Sequence, residues 1–362
     1  MKSVRFGIVL ILLILTMTSV FGNDKKVSMT HWTDWMANGS YGMMVHYLIH
    51  PQGKTPEAKT ADLNRIIDSF DIDFFMKQFE ASGADWMIFT IGQNTDYYNG
   101  PNVVLDTMIP GHTPKRDLVL EIARRVHKQN KRFIAYLPSG GQSPLIKSTF
   151  GFNPDDQSHF QKRWQAVIAA YSVHLGDNCD GWWFDGWYDD LVKGWSVKEW
   201  NAAVEAGNPN SIAAYNDGSF CIGRTAPVSP DEGFIPGETH LLWHGQIVLN
   251  VNHYVSHTSE LTVGAGGELL LNGWNAPLYM PNSRFIDGVQ WHALVPIDST
   301  WMPGVLLADK QCHYSDQDLI DFVKGCQKVG GAVTYNVPIG INGHVPEATA
   351  AQLARIGKAV KR

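Results

Sequence analysis

The sequence predicts an α/β fold, a (β/α)8 TIM-like barrel formed by one domain. Three observations predict it. Short β-rich runs alternate with helical stretches along the chain, and that alternation lays strands parallel with helices packed over them. The runs number eight, the strand count that closes such a sheet into a barrel. The first run leads into His46-Tyr47-Leu48-Ile49-His50, without the glycine-rich phosphate turn that marks an open doubly wound sheet.

The chain opens with a segment outside this fold. Lys2 and Arg5 precede an apolar run from Gly7 to Leu15, and small residues continue it to Phe21. That is the pattern of a signal peptide over residues 1–22, cut after Gly22. The run is shorter than the roughly 20 apolar residues that span a bilayer; an uncleaved anchor is the alternative. The expected mature chain is therefore residues 23–362, exported to a periplasmic or extracellular compartment without stable membrane insertion.

The predicted strands are residues 41–46, 86–90, 132–137, 181–185, 212–217, 234–238, 289–295 and 332–337. Between the first two, Asp71 caps a helix whose stripe is Ile72, Phe75, Met76 and Phe79, and Gly83 ends it. A second helix starts at Thr113-Pro114 and carries Val119, Ile122, Ala123 and Val126 on one face. Phe160, Trp164, Val167, Ile168 and Tyr171 stripe a third. Before the last strand, Ser315 and Asp318 read as a capping box ahead of Leu319, Phe322, Val323 and Cys326, with Gly330 as the stop. Residues 240–284 are too long for a short connection. Their alternations at 246–251 and 268–271, around Gly264, Gly266 and Gly267, predict a β-hairpin-like insertion near the barrel mouth. No linker-like stretch divides the chain, so one domain is expected.

Composition narrows the chemistry. The 362 residues are 44% hydrophobic and 18% charged, which excludes a disordered chain. A net charge of -6 without a basic run gives no footprint for nucleic acid. The 13 tryptophans suit flat sugar faces, and also suit a large core. Cys179, Cys221, Cys312 and Cys326 form no CxxC pair and no zinc pattern; disulfides and buried thiols both remain open. The chain has no HExxH, GxSxG, Walker A or GxGxxG sequence. Its histidines, His240 and His244 included, lack a metal-ligand spacing, so neither metal nor cofactor is expected.

In a barrel of this kind the active site forms at the C-terminal ends of the strands. The residues there are His46, Gln93, Asn94, Tyr136, Asp185, Asp217, Glu238, His292 and Asn336. Asp185 stands out. The run Gly181-Trp182-Trp183-Phe184-Asp185-Gly186-Trp187 delivers one acid among indole rings, and Gly186 leaves room for a ligand. The plain alternative is an Asp that caps the next helix. Glu238 is the best partner for acid/base work on a sugar, with Asp217 and Glu232 as rivals. A lone His after an apolar strand is more often structural, so His46 and His292 are each open to either role.

These strand ends resemble the α-L-fucosidases of glycoside hydrolase family 29 over nearly the whole mature chain. Tyr41-Gly42-Met43-Met44-Val45-His46 resembles the family's first strand, which ends in a sugar-binding His. Arg116-Asp117-Leu118-Val119 and Phe133-Ile134-Ala135-Tyr136 resemble its next helix and third strand. Trp183-Phe184-Asp185-Gly186 resembles its nucleophile motif, the most specific match. Gly330-Gly331-Ala332-Val333-Thr334-Tyr335-Asn336-Val337-Pro338, then Asn342-Gly343, resembles its ending. The resemblance implies a cofactor-free, retaining, exo-acting enzyme that releases a terminal fucose-related sugar from an oligosaccharide or polysaccharide. Asp185 would be the nucleophile and Glu238 the acid/base. His46, Gln93, Asn94, Tyr136, Trp183, Trp187, Asp217 and His292 would hold the sugar, and Trp182 would join the apolar wall.

The chain departs from the family at Gln93-Asn94-Thr95-Asp96-Tyr97, where the family carries a His-His-Asp-Gly-Phe run that grips fucose. Two imidazoles become two amides, which changes donors and acceptors. A methylated, sulfated or otherwise related sugar is therefore an alternative to fucose. Two other readings stand beside the hydrolase. A lapsed barrel would bind sugar without turnover, and a lyase on the same fold would leave an unsaturated product that absorbs ultraviolet light.

Overall fold

The computed structural model describes residues 31–93, 95–141, 143–188, 192, 194–217, 227–238, 261–263, 269–271, 274–275, 281, 283–297 and 314–361. The segment read as a signal peptide, Asn94, Cys221, Cys312 and most of the 240–284 stretch lie outside them.

Strands β1 (Gly42–Val45), β2 (Trp86–Thr90), β3 (Arg132–Pro138), β4 (Gly181–Asp185) and β5 (Ile212–Tyr215) build most of the central sheet. Within 261–284, β6 (Leu261–Val263), β7 (Leu269–Leu271) and β8 (Trp274–Asn275) form a separate three-stranded antiparallel sheet. Then come β9 (Phe285–Ile286), β10 (Val289–Gln290), β11 (His292–Pro296) and β12 (Ala332–Val337). Among the described residues the central sheet has seven parallel strands in the order β11-β12-β1-β2-β3-β4-β5.

Both faces of the curled sheet are apolar, and each packs in its own cluster. Period-two alternation sends Met44, Ile88, Tyr136, Trp183, Ala214 and Leu294 to one cluster inside the curve. It sends Met43, Phe89, Ala135, Phe184 and Tyr215 to the larger cluster beneath the helices. The helix over Ile72–Ser82 has the expected cap, with Asp71 accepting from the Phe74 N–H and Gly83 closing it at φ 71°. The second starts at Leu118, four residues after Pro114, because Asp117 supplies the cap. The third runs Ser158–Leu175, and Asp316–Val329 carries the capping box and its Gly330 stop. Cys179 and Cys326 are buried free thiols in this shell.

Two predicted strands come out differently. Residues 234–238 make only single-residue bridges, Phe234 to Gln290 and Glu238 to Leu294. Pro236 has no N–H to give a ladder, and Gly237 sits at φ 65° with an ideal Cβ 2.0 Å from the His292 carbonyl oxygen. Still, the segment is tied on both sides. Ile235 N–H donates to Gln290 O at 3.0 Å, Leu294 N–H to Gly237 O at 2.8 Å, and Gly233 N–H to Ala213 O at 2.8 Å. The run predicted as 289–295 divides at Trp291. Asp287 and Gly288 both have positive φ, the signature of a tight hairpin turn, so β10 pairs back on β9 while β11 pairs with β12.

Candidate active site

Asp185 ends β4 at the position opposite Pro138 of β3. It is buried, and donors converge on both oxygens. Oδ2 accepts from Tyr136 Oη at 2.7 Å and Gln93 Nε2 at 2.9 Å. Oδ1 accepts from Gly186 N at 2.8 Å, Asn216 Nδ2 at 3.1 Å and Tyr188 Oη at 3.4 Å. Burial pushes the Asp185 carboxyl above its ordinary range, and the charge of Glu238 adds to that. The donors from Tyr136, Asn216 and Gln93 oppose the rise.

Glu238 is half-buried, and its Oε2 accepts from the same Asn216 Nδ2. One amide nitrogen thus serves both acids. The two acids therefore face each other across a single amide nitrogen. Asn216 itself is fully buried, and its backbone continues β5 through bonds to Phe184 and Trp187.

His46 follows β1 and bonds Asn336 Oδ1 through Nδ1 at 2.9 Å. An amide oxygen only accepts, so Nδ1 carries the proton and Nε2 is the accepting nitrogen of the ring. Burial lowers the His46 pKa, against the Asn336 bond and the charges of Asp185 and Glu238. Its ring meets Tyr136 edge-on at 5.0 Å, and Tyr136 stacks on Trp183 at 4.9 Å. Trp183 is fixed by donating to Pro236 O at 3.2 Å. His46, Gln93, Tyr136, Trp183, Asp185 and Glu238 therefore meet in one place.

Other candidates lie elsewhere. Trp187 packs with Trp195, Trp200 and Tyr215 in the cluster beneath the helices. Trp182 belongs to that cluster as well, because it precedes the inward Trp183 by one residue. His292 opens β11 rather than ending it. Its Nδ1 faces the carbonyls of Ile235 and Pro236, each at 3.1 Å, and must be the donor; Nε2 then accepts from Thr334 Oγ1 at 2.8 Å. Thr334 in turn accepts from Trp86 Nε1 at 2.8 Å, so His292 ties strands together. Burial lowers its pKa to about 4. Glu232 is occupied by the N–H groups of Tyr215 at 2.7 Å and Val228 at 3.0 Å, and burial raises its carboxyl well above the usual range. Asp217 is half-buried one residue beyond Asn216.

Sequence reasoning missed Asn216 and Tyr188. The signal for Asn216 was present: Ile212, Ala214 and Asn216 share one face at period two, and Asp217 is one step out of that phase. Among the described residues no three His, Cys, Asp or Glu side chains converge as a metal site would need, and no helix among them is long and apolar enough to cross a membrane.

No protein-family profile matches the chain, and no curated protein matches it by sequence. Solved structures do match in fold. An endo-fucoidan hydrolase of glycoside hydrolase family 107 superposes with a TM-score of 0.61 at 15% identity, over 90% of this chain and 63% of its own. The α-L-fucosidase isoenzyme 1 of Paenibacillus thiaminolyticus gives 0.60 at 15% identity, over 90% and 74%. An α-L-fucosidase of Lactobacillus casei in complex with α-L-fucose gives 0.58 at 13% identity, over 91% and 98%. The chain thus spans less than two thirds of the first of these and nearly all of the last. At these identities the likeness establishes a shared barrel-like α/β fold.

Proposed function

We propose that the chain is an exported glycoside hydrolase, a retaining and exo-acting enzyme that frees a terminal α-L-fucose-related sugar from an oligosaccharide or polysaccharide. The observation that carries this reading is the Asn216 amide held between Asp185 and Glu238, which brings together the two carboxyl groups that a nucleophile-and-acid mechanism needs. The fold shared with fucoidan hydrolases and α-L-fucosidases supports the sugar class. The bonds that tie residues 233–238 between β5 and β11 support a complete eight-membered barrel.

In this mechanism an Asp185 oxygen attacks the anomeric carbon while Glu238 gives its proton to the departing glycosidic oxygen. The C–O bond to the leaving group breaks as the ester to Asp185 forms. Glu238, now ionised, takes a proton from water, and the hydroxide formed attacks the same carbon and frees Asp185. His46 accepts from a sugar hydroxyl through Nε2, Gln93 holds Oδ2 of the nucleophile, and the Tyr136–Trp183 stack offers an apolar wall.

The test is release of sugar from aryl α- and β-glycosides and fucose-bearing glycans, followed by NMR to read the anomer formed first. Wild type should release an α-L-fucose-related sugar with its configuration retained, and Asp185→Asn should lose at least about 1,000-fold in kcat. Turnover that survives in Asp185→Asn removes Asp185 as nucleophile. An unsaturated product would instead make the chain a lyase, and saturable binding with no turnover a lectin-like protein.

A further inference from the structure

The amide of Asn216 is the feature of the site that no general requirement of the reaction explains. A retaining pair needs its two acids held apart at a set distance, and nothing in that requirement asks for a shared donor. Here a fully buried side chain gives one nitrogen to Asp185 Oδ1 at 3.1 Å and to Glu238 Oε2. The backbone that carries it is pinned to the strand that carries the nucleophile. Asn216 N–H donates to Phe184 O at 2.8 Å, and Trp187 N–H donates to Asn216 O at 2.8 Å. On the far side, Glu238 sits on a segment fixed by Leu294 N–H to Gly237 O at 2.8 Å. The amide is therefore a rigid spacer between two strand ends.

We propose that Asn216 is a positioning residue for this reaction, whose side-chain nitrogen sets the spacing of Asp185 and Glu238 and keeps Asp185 ionised as the attacking group. The proposal rests on the hydrolase reading above. Its physical logic is that an amide N–H only donates. It favours the charged form of a carboxylate and cannot lend either acid a proton. The groups facing Asp185 from the elements around it are His46 after β1, Tyr136 from β3, Gln93 after β2, Tyr188 after β4, Asn216 after β5 and Glu238 beyond. Of these, the hydrogen bond from Asn216 is one of three that hold the Asp185 carboxyl down against burial and the Glu238 charge. Without it, two acids at this distance repel, and the nucleophile takes up a proton at higher pH.

The experiment reads Asp185 directly, with no substrate needed. Full-length mature protein labelled with 13C at the aspartate carboxyls is titrated by NMR, and the Asp185 signal is identified as the one absent in Asp185→Asn. In Asn216→Ala the Asp185 midpoint should rise by about one pH unit. Asn216→Leu keeps nearly the same shape without a donor, should give the same rise, and decides the matter if the alanine variant does not fold. In the sugar-release assay the folded variant should lose about 100-fold in kcat with KM within about twofold of wild type, and the acid limb of its rate profile should move with the NMR midpoint. An Asp185 midpoint within about 0.3 unit of wild type in a folded variant overturns the proposal alone. Turnover that survives in Asp185→Asn overturns the hydrolase reading, and this assignment with it.

Discussion

Gly237→Ala tests whether the segment that bears Glu238 is held where the chemistry needs it. An alanine Cβ would sit 2.0 Å from the His292 carbonyl oxygen and 2.7 Å from its carbon. Contacts of this kind settle at about 3.3 Å or more, so the segment must retreat by about 1.3 Å. An L side chain at φ 65° adds about 1–2 kcal/mol of strain. Retreat also strains the bonds from Leu294 N–H to Gly237 O and from Ile235 N–H to Gln290 O, at about 1 kcal/mol each. The sum is about 3–4 kcal/mol. At roughly 2.1 cal/mol/K per residue over roughly 330 residues, that lowers Tm by about 5 °C. A displacement near 1 Å at a catalytic group costs about 100-fold in kcat. Gly288→Ala is the control, because Gly288 has φ 85° and no atom of the described residues within 4 Å of its Cβ position. It carries the strain without the clash, so Tm should fall by about 2 °C with kcat unchanged. Calorimetry and the sugar-release assay on both variants decide. If Gly237→Ala keeps wild-type kcat while its Tm falls as expected, the placement of Glu238 does not govern the reaction.

Three further outcomes follow from the same structure. Asp180 is buried and accepts from Arg132 at 2.6 Å, His127 at 2.7 Å and the Phe133 N–H at 2.8 Å. Burial alone would raise its carboxyl, but these partners outweigh it and hold the pKa below the usual value. That stability is present above the unfolded pKa and is lost as pH falls through the folded one. Asp180→Asn should therefore cost about 2–3 kcal/mol at neutral pH in urea unfolding, with the gap closing below about pH 3.8. His292 has its folded pKa lowered to about 4, so the unfolded chain binds the extra proton between about pH 6.5 and 4 and stability falls there as pH drops, by up to about 1.4 kcal/mol per unit. Denaturant melts of His292→Gln over this window should show a shallower slope. Tyr136→Phe keeps the stack on Trp183 but removes the 2.7 Å donor to Asp185; the acid limb of the rate profile should rise by about one unit, and an unmoved limb would show that this hydroxyl does not tune the nucleophile.

Much of the fold was legible because local signals agreed. β2, β4 and β12 fall on the predicted residues, and the caps at Asp71 and Ser315 sit where expected. Residues 234–238 read as a strand from their apolar content, yet Pro236 and Gly237 forbid a continuous ladder. The run at 289–295 hid a change of partner, since Asp287 and Gly288 turn the chain just before it. In the site, Asp185 and Glu238 were readable as acids at strand ends. Two residues differ from the expectation by phase alone. Trp183 faces inward while Trp182 faces the helices, and Asn216, two residues beyond the inward Ala214, reaches Asp185. A pattern of period two reverses its meaning with one residue of slip. Nor could sequence show that one amide spans two acids, because that contact joins residues from three strand ends.

The two thiols buried in the shell offer a clock for local opening. Cys179 lies just ahead of β4 and Cys326 in the helix over Asp316–Val329. Burial pushes both thiols far above the range in which a thiolate forms, so neither reacts with an alkylating reagent until its surroundings part. Labelling at Cys179 therefore times the opening of the strands that carry Asp185, and labelling at Cys326 times the release of a helix on a distant wall. If the two rates coincide, the chain opens as one cooperative unit; if Cys326 labels first, the nucleophile strand outlives the shell around it.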